Sequence, residues 1–213
     1  MEHDRYTQTI RAEYEAFTAR LSAQYLTVAG NGMDAVASFR LAGLGMISAL
    51  LGRAIALTND YLAPLGGGVV RDARELPWLD QLRQIAIKNL NDLIVKLMGG
   101  GLRQADMLNR PAGAFGALLQ KKLEAPRLTV RDRAGRAWKA DALVAGYARD
   151  FAYQAYLDAQ IARLKEEGAQ VATIVYPDPT HRNHGMQVNL ADIDQVRKTI
   201  FHPNSNARLV AHV

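Results

Sequence analysis

From Arg127 to Val213 the chain reads RLTVRDRAGRAWKADALVAGYARDFAYQAYLDAQIARLKEEGAQVATIVYPDPTHRNHGMQVNLADIDQVRKTIFHPNSNARLVAHV, and the reading of this stretch decides the fold. The apolar run Leu128 to Val130 meets Asp132-Arg133-Ala134-Gly135. Asp supplies a side chain that bonds its own backbone and Gly supplies the free φ, the two needs of a tight reversal. The pattern predicts a hairpin ending near Trp138. A helix is expected next, from about Asp141 to Glu167, with Leu143, Tyr147, Phe151, Ala155, Tyr156, Ala159, Ala162 and Arg163 tracing its face and Gly168 ending it. Val171 to Tyr176 is β-branched and apolar at both parities, which predicts a strand buried on both faces. A loop rich in Pro, His and Asn follows from Pro177 to Gly185. Asp192 to Ile200 predicts a short helix, and Ala207 to Val213 a last strand that pairs beside the earlier ones.

Upstream, the pattern is helical. Tyr6, Ile10, Tyr14, Phe17, Leu21 and Tyr25 recur at steps of three and four, so a helix from about Asp4 to Val28 carries an aromatic face, and Asn31-Gly32 stops it. A second helix is expected from Asp34 to about Leu62, with Pro64 beyond its end. Gly66-Gly67-Gly68 reads as a joint. A third helix opens near Pro77, buries Trp78, Leu82, Ile85, Leu90, Leu93, Ile94 and Leu97, and ends at Gly99-Gly100-Gly101. A shorter helical pattern around Phe115, Leu118 and Leu119 stops before Pro126. The expectation is an α+β protein: a mostly helical region over 1–125, then a small mixed module of hairpin, long helix, short strands and short helix over 126–213.

Composition sets the outer limits. A chain of 213 residues with 49% apolar and 22% charged residues is long enough and apolar enough to bury a core. Zero cysteines exclude disulfides and thiolate metal sites. The formal charge of +5 permits contact with nucleic acid without the concentrated basic field that usually marks it. The charged start MEHDRYTQTIRAEYE lacks the apolar core of a signal peptide. The most apolar stretch, Leu41 to Leu57, is interrupted by Arg53 and falls short of the roughly 20 residues a spanning helix needs. Burial against other helices is therefore expected for it, and no membrane partner.

In the last third the residues become recognisable. Asp132, Gly135, Arg136 and Trp138 in the hairpin are followed by Tyr147, Ala148, Arg149, Ala155 and Tyr156 on the helix. Pro179 and His181, Gly185 and Val188, and the closing Phe201-His202-Pro203-Asn204 then come in order. This succession resembles the tailed-phage minor capsid or head-morphogenesis proteins, over about residues 127–213. The resemblance implies a non-enzymatic virion structural protein, made in the bacterial host cytoplasm and seated at the portal vertex on the inner side of the head. It implies the portal protein as a partner, with the major capsid protein and packaged double-stranded DNA beside it, and a role in head assembly and DNA packaging or delivery. No cofactor is implied.

Two other chemistries are open to the same residues. His181, His184 and His202, with Asp178 and Asp192, are the imidazole and carboxylate set that zinc or another transition metal takes, as in a small metal-dependent nuclease or hydrolase. The structural alternative makes His181 and His184 surface donors and His202-Pro203 a turn. Arg127, Arg131, Arg133, Arg136 and Lys139 cluster around the hairpin and could sit on phosphates, although Asp132 and Asp141 partly neutralise them. The bland alternative is a helical interaction protein whose aromatic stripes are simply core. The two glycine runs are not phosphate loops, because neither opens a helix or precedes a Lys-Ser or Lys-Thr pair.

Overall fold

The computed structural model describes residues 2–28, 33–107, 128–131, 135–202 and 205–212. Three long helices come first: α1 (Glu2–Val28), α2 (Met33–Leu62) and α3 (Pro77–Met107), with 3-10 turns at Ala63–Leu65 and Ala73–Glu75 between the last two. A hairpin of β1 (Thr129–Arg131) and β2 (Ala137–Lys139) leads into α4 (Ala140–Glu166). Then follow β3 (Val171–Val175), β4 (Gln187–Asn189), α5 (Ile193–Ile200) and β5 (Arg208–Ala211). The architecture is α+β, with long helices first and short antiparallel strands late.

By contacts the chain forms two compact units. One comprises residues 9–56 and 70–145, the other 1–8, 57–69 and 146–213. Both are discontinuous in sequence, whereas the expected division at 125/126 is linear and its junction lies outside the described residues. The helical pattern around Phe115, Leu118 and Leu119 and the stop at Asn31-Gly32 also lie outside them.

In the helical unit Ile10, Tyr14, Phe17 and Leu21 of α1 and Trp78, Leu82, Ile85, Leu90 and Leu93 of α3 are buried as expected, whereas the expected Tyr25, Ile94 and Leu97 are half-buried. Leu79 of α3 and Phe39, Ile47, Leu50 and Ala54 of α2 are buried as well. Each such aliphatic or aromatic side chain contributes about 1.5–3 kcal/mol by leaving water. Gly43 lets α2 approach α3 closely, since a Cβ there would lie 2.4 Å from Cδ1 of Leu90. α2 is buried along one stripe only. By length and composition it could cross a membrane, and just 28% of its most apolar window is buried, with Leu41 and Leu44 exposed on the other side. The expectation that this helix is covered by other helices therefore holds for one face. The expected end of α3 at Gly99-Gly100-Gly101 is corrected, because the helix runs through the glycines to Met107. Leu102, Arg103, Gln104 and Ala105 are strong helix formers, so the segment just beyond the glycines favours continuing the helix.

The hairpin of this unit pairs Val130 with Trp138 and stands as its own two-stranded sheet. Only Val130 of the two strands is buried.

In the second unit, β3 is the middle of a three-stranded antiparallel sheet ordered β4-β3-β5. Ala172 pairs with Val188 on one side and Ala211 on the other. Burial alternates along β3: Ala172 and Ile174 are fully buried, while Val171, Thr173 and Val175 are half-buried. The expected burial of both faces is thus corrected to one. That face packs with Tyr153, Leu157, Ile161 and Leu164 of α4, Ile193 and Ile200 of α5, and Phe201. β4 was not anticipated, and β5 pairs with the earlier strand β3. Gly168, at φ 82°, turns the chain out of α4, and the Ala169 amide returns to the Leu164 carbonyl at 2.9 Å.

The inward stripe of α4 is also corrected. Val144, Ala148, Ala152, Tyr153, Leu157, Ile161 and Leu164 are buried, one position on from the expected Leu143, Tyr147, Phe151 register.

Candidate functional site

β3 delivers the chain into the His-containing loop, and the loop bonds to itself. Asp178 Oδ1 accepts from the Thr180 hydroxyl at 2.7 Å and from its amide at 2.9 Å. Those bonds, with His181 and His184 nearby, hold the Asp178 carboxyl below the usual carboxylate range. The His181 ring stacks on Tyr176, centroids 3.6 Å apart, and its Nδ1 accepts from the Asn183 amide at 3.2 Å. His184 Nδ1 lies 3.2 Å from the Tyr176 amide nitrogen and 3.1 Å from its carbonyl oxygen, so either tautomer finds a backbone partner. Gly185 closes the loop at φ 80°, donating its amide to Ile174 O at 2.8 Å. A side chain is rarely tolerated at that φ.

These bonds decide what the loop can do chemically. Among the described residues no three His, Asp or Glu side chains come together to hold a metal. His181 and His184 each use one ring nitrogen on backbone, and His202 is exposed. The alternative set of His181, His184 and His202 with Asp178 and Asp192 is not brought together among the described residues.

The closing segment is held from α4. Phe201 is buried, and its carbonyl accepts from Gln154 Nε2 at 2.9 Å. The Ser205 amide donates to the His202 carbonyl at 2.7 Å, and Ser205 Oγ accepts from the Ala207 amide at 3.1 Å. Tyr153 Oη donates to the Ala207 carbonyl at 3.0 Å. Arg197 ties α5 to α4, reaching Gln154 Oε1 at 2.9 Å and Asp158 Oδ1 at 2.6 Å. Pro203 and Asn204 lie outside the described residues. Tyr153, Gln154, Arg197 and Ser205, which hold this turn, were not singled out from sequence. A buried tyrosine beside a glutamine on a long helix carries no periodic signal of such a role.

Two motif residues stand elsewhere. Tyr147 and Arg149 are on the exposed side of α4, and Arg149 reaches Asp4 at 4.0 Å.

At the hairpin, Gly135 adopts φ 78° and its carbonyl accepts from Arg131 at 2.9 Å. The Arg136 guanidinium lies 5.6 Å over the Trp138 ring, a cation–π contact at a half-open site, since Trp138 is 40% exposed. Lys139 lines a groove of about 630 Å³ together with Arg11, Glu15, Leu26, Leu128 and Asp141. Arg11 already bridges Asp141 at 2.7 Å and Glu15 at 3.0 Å, so the charges at this end of the groove are largely paired. Arg127 and Arg133 lie outside the described residues, which leaves Arg131, Arg136 and Lys139 as the described members of the basic cluster.

The chain matches no protein-family model, no curated protein and no solved structure.

Proposed function

We propose that the chain is a structural minor head protein of a tailed phage or prophage, docked at the portal vertex inside the head. The observation that supports this reading is what the motif residues do. Tyr176 and His181 stack, Gly185 turns the loop, and the Phe201-His202 turn is tied to α4 through Gln154, Ser205 and Tyr153. Residues spent on bracing a small module are what a docking part requires, because a rigid surface loses little entropy on binding. The long helices supply the packing surface for a partner ring, and the major capsid protein and packaged DNA are the neighbours such a position brings.

The experiment is co-expression with the cognate portal protein, followed by size-exclusion chromatography with mass measurement, with and without a chelator. Co-elution with the portal ring in both conditions is expected. A chain that runs apart from the portal and carries stoichiometric zinc, lost on His181→Ala, would replace this reading with a metal-dependent enzyme.

A second reading, nonspecific DNA contact, is favoured by Arg131, Arg136 and Lys139 on one short hairpin beside an exposed Trp138. Such contact is phosphate-directed, so affinity should fall with salt, and the double change Arg136→Ala, Lys139→Ala should flatten that slope by about two ions. An unchanged slope would remove the hairpin from the interface.

A further inference from the structure

His3 lies in the first turn of α1 and yet is only 6% exposed. Its imidazole sits against two rings of α4: Tyr153, edge-on with centroids 5.9 Å apart, and Tyr156, tilted at 6.0 Å. One turn on, Tyr6 continues the attachment, its ring stacked on Tyr61 at 4.7 Å and its hydroxyl 3.0 Å from Thr58 Oγ1. Tyr61 in turn donates to the Ala152 carbonyl of α4 at 2.7 Å. His3 therefore fastens the first turn of α1 to α4 directly, while Tyr6 fastens the second to Tyr61 and Thr58 of α2 with its ring 6.3 Å from Phe151 of α4, all within the unit that holds the three-stranded sheet.

The charged groups facing the imidazole are few. Asp4 Oδ2 lies 3.9 Å from Nε2, and Asp4 is shared with the Arg149 guanidinium of α4 at 4.0 Å. A protonated ring here would lose its solvation and face the positive end of the α1 dipole, against a half-exposed carboxylate already attracted to an arginine. Burial is the largest influence and holds His3 below the ordinary histidine value; Asp4 opposes it, and the terminal amine and then Arg149 push the same way as burial.

We propose that His3 is a proton-operated latch: neutral, it pins the first two turns of α1 to α4, and on protonation those turns release and uncover the Tyr153–Tyr156 surface. The sign follows from linkage. The unfolded or released segment takes the proton more readily than the docked one, so docking is fully stable above the ordinary value of about 6.5 and weakens as pH falls below it.

Hydrogen exchange on the full chain at about pH 8 and about pH 5, corrected for intrinsic rates, tests this across the range where histidine changes charge. Protection of residues 5–9 and 148–157 should drop at the lower pH by about tenfold per unit by which the docked value is depressed. His3→Phe keeps an aromatic ring and cannot titrate, so its protection should not change between the two. Equal protection of the wild type at both pH values, or the same loss in His3→Phe, would overturn the latch. Ring NMR titration of the wild type is an independent check: a His3 value at or above the ordinary one would also overturn it.

Discussion

The side-chain amide of Asn89 donates to the phenolic oxygen of Tyr14, linking α3 to α1 where neither residue reaches solvent. Asn89 Oδ1 has no partner among the described residues. The pair is thus a polar contact inside an apolar layer, already short of one hydrogen bond. Removing one member strands the other, which costs about 1–3 kcal/mol, whereas removing both leaves nothing unsatisfied. Tyr14→Phe and Asn89→Leu should each destabilise by that amount in urea unfolding. The double variant should cost clearly less than their sum. Strict additivity would mean that the contact carries no energy.

Two glycines of α2 should respond in opposite directions. Alanine at Gly45 meets nothing within 4 Å, so the helix gains propensity, about 0.8–1 kcal/mol. Alanine at Gly43 gains the same but drives a methyl into Leu90, a side chain only 1% exposed, an overpacking of about 1–3 kcal/mol. Thermal unfolding should therefore rank Gly45→Ala above wild type and Gly43→Ala below it. Partial recovery of Gly43→Ala by Leu90→Val would place the clash at that pair; a Gly43→Ala protein as stable as Gly45→Ala would show that the helices separate freely.

Tyr153 links the core of the sheet-bearing unit to pH. Burial pushes its phenol up to about 12, with the Ser205 side chain pulling the other way. Its folded value exceeds the unfolded value of about 10, so its contribution is complete below pH 10 and is lost between 10 and 12. Melting temperature should fall through that window, and the fall should be shallower in Tyr153→Phe. That variant also starts lower at neutral pH, by about 0.5–1.5 kcal/mol, because the Ala207 carbonyl loses its donor. An identical alkaline slope in both proteins would remove Tyr153 from the titration.

Large side chains at helical spacing made most of the fold readable. Tyr6, Ile10, Tyr14, Phe17 and Leu21 were expected on one face of α1 and are buried there. α4 shows where this signal fails. Its inward stripe runs through Ala148 and Ala152, which a hydrophobic pattern weighs lightly, while Tyr147 and Phe151 pulled the expected face round by one residue. β4 is three residues long with only Val188 buried, too short to show alternation. The His loop was visible as composition but not as geometry. That His181 would lie on Tyr176, rather than turn toward His202, depends on the reversal at Gly185 and on backbone bonds to β3 that no local pattern encodes.

That stack yields the last prediction. If His181 serves the loop, its partners are the Tyr176 ring at 3.6 Å and the Asn183 amide at 3.2 Å, and its role is to hold the chain between β3 and β4. His181→Ala should then cost about 1–2 kcal/mol, the sum of an aromatic contact and one backbone bond. Exchange protection should fall at Asn183 to Met186 while Leu209 and Val210 stay protected. Zinc added to the wild type at micromolar concentration should leave its melting temperature unchanged, because a bound ligand raises stability with its concentration and a protein without a site gains nothing. A zinc-dependent rise that disappears in His181→Ala would instead mean that the loop rearranges to free its imidazoles, and would return the metal chemistry to the front.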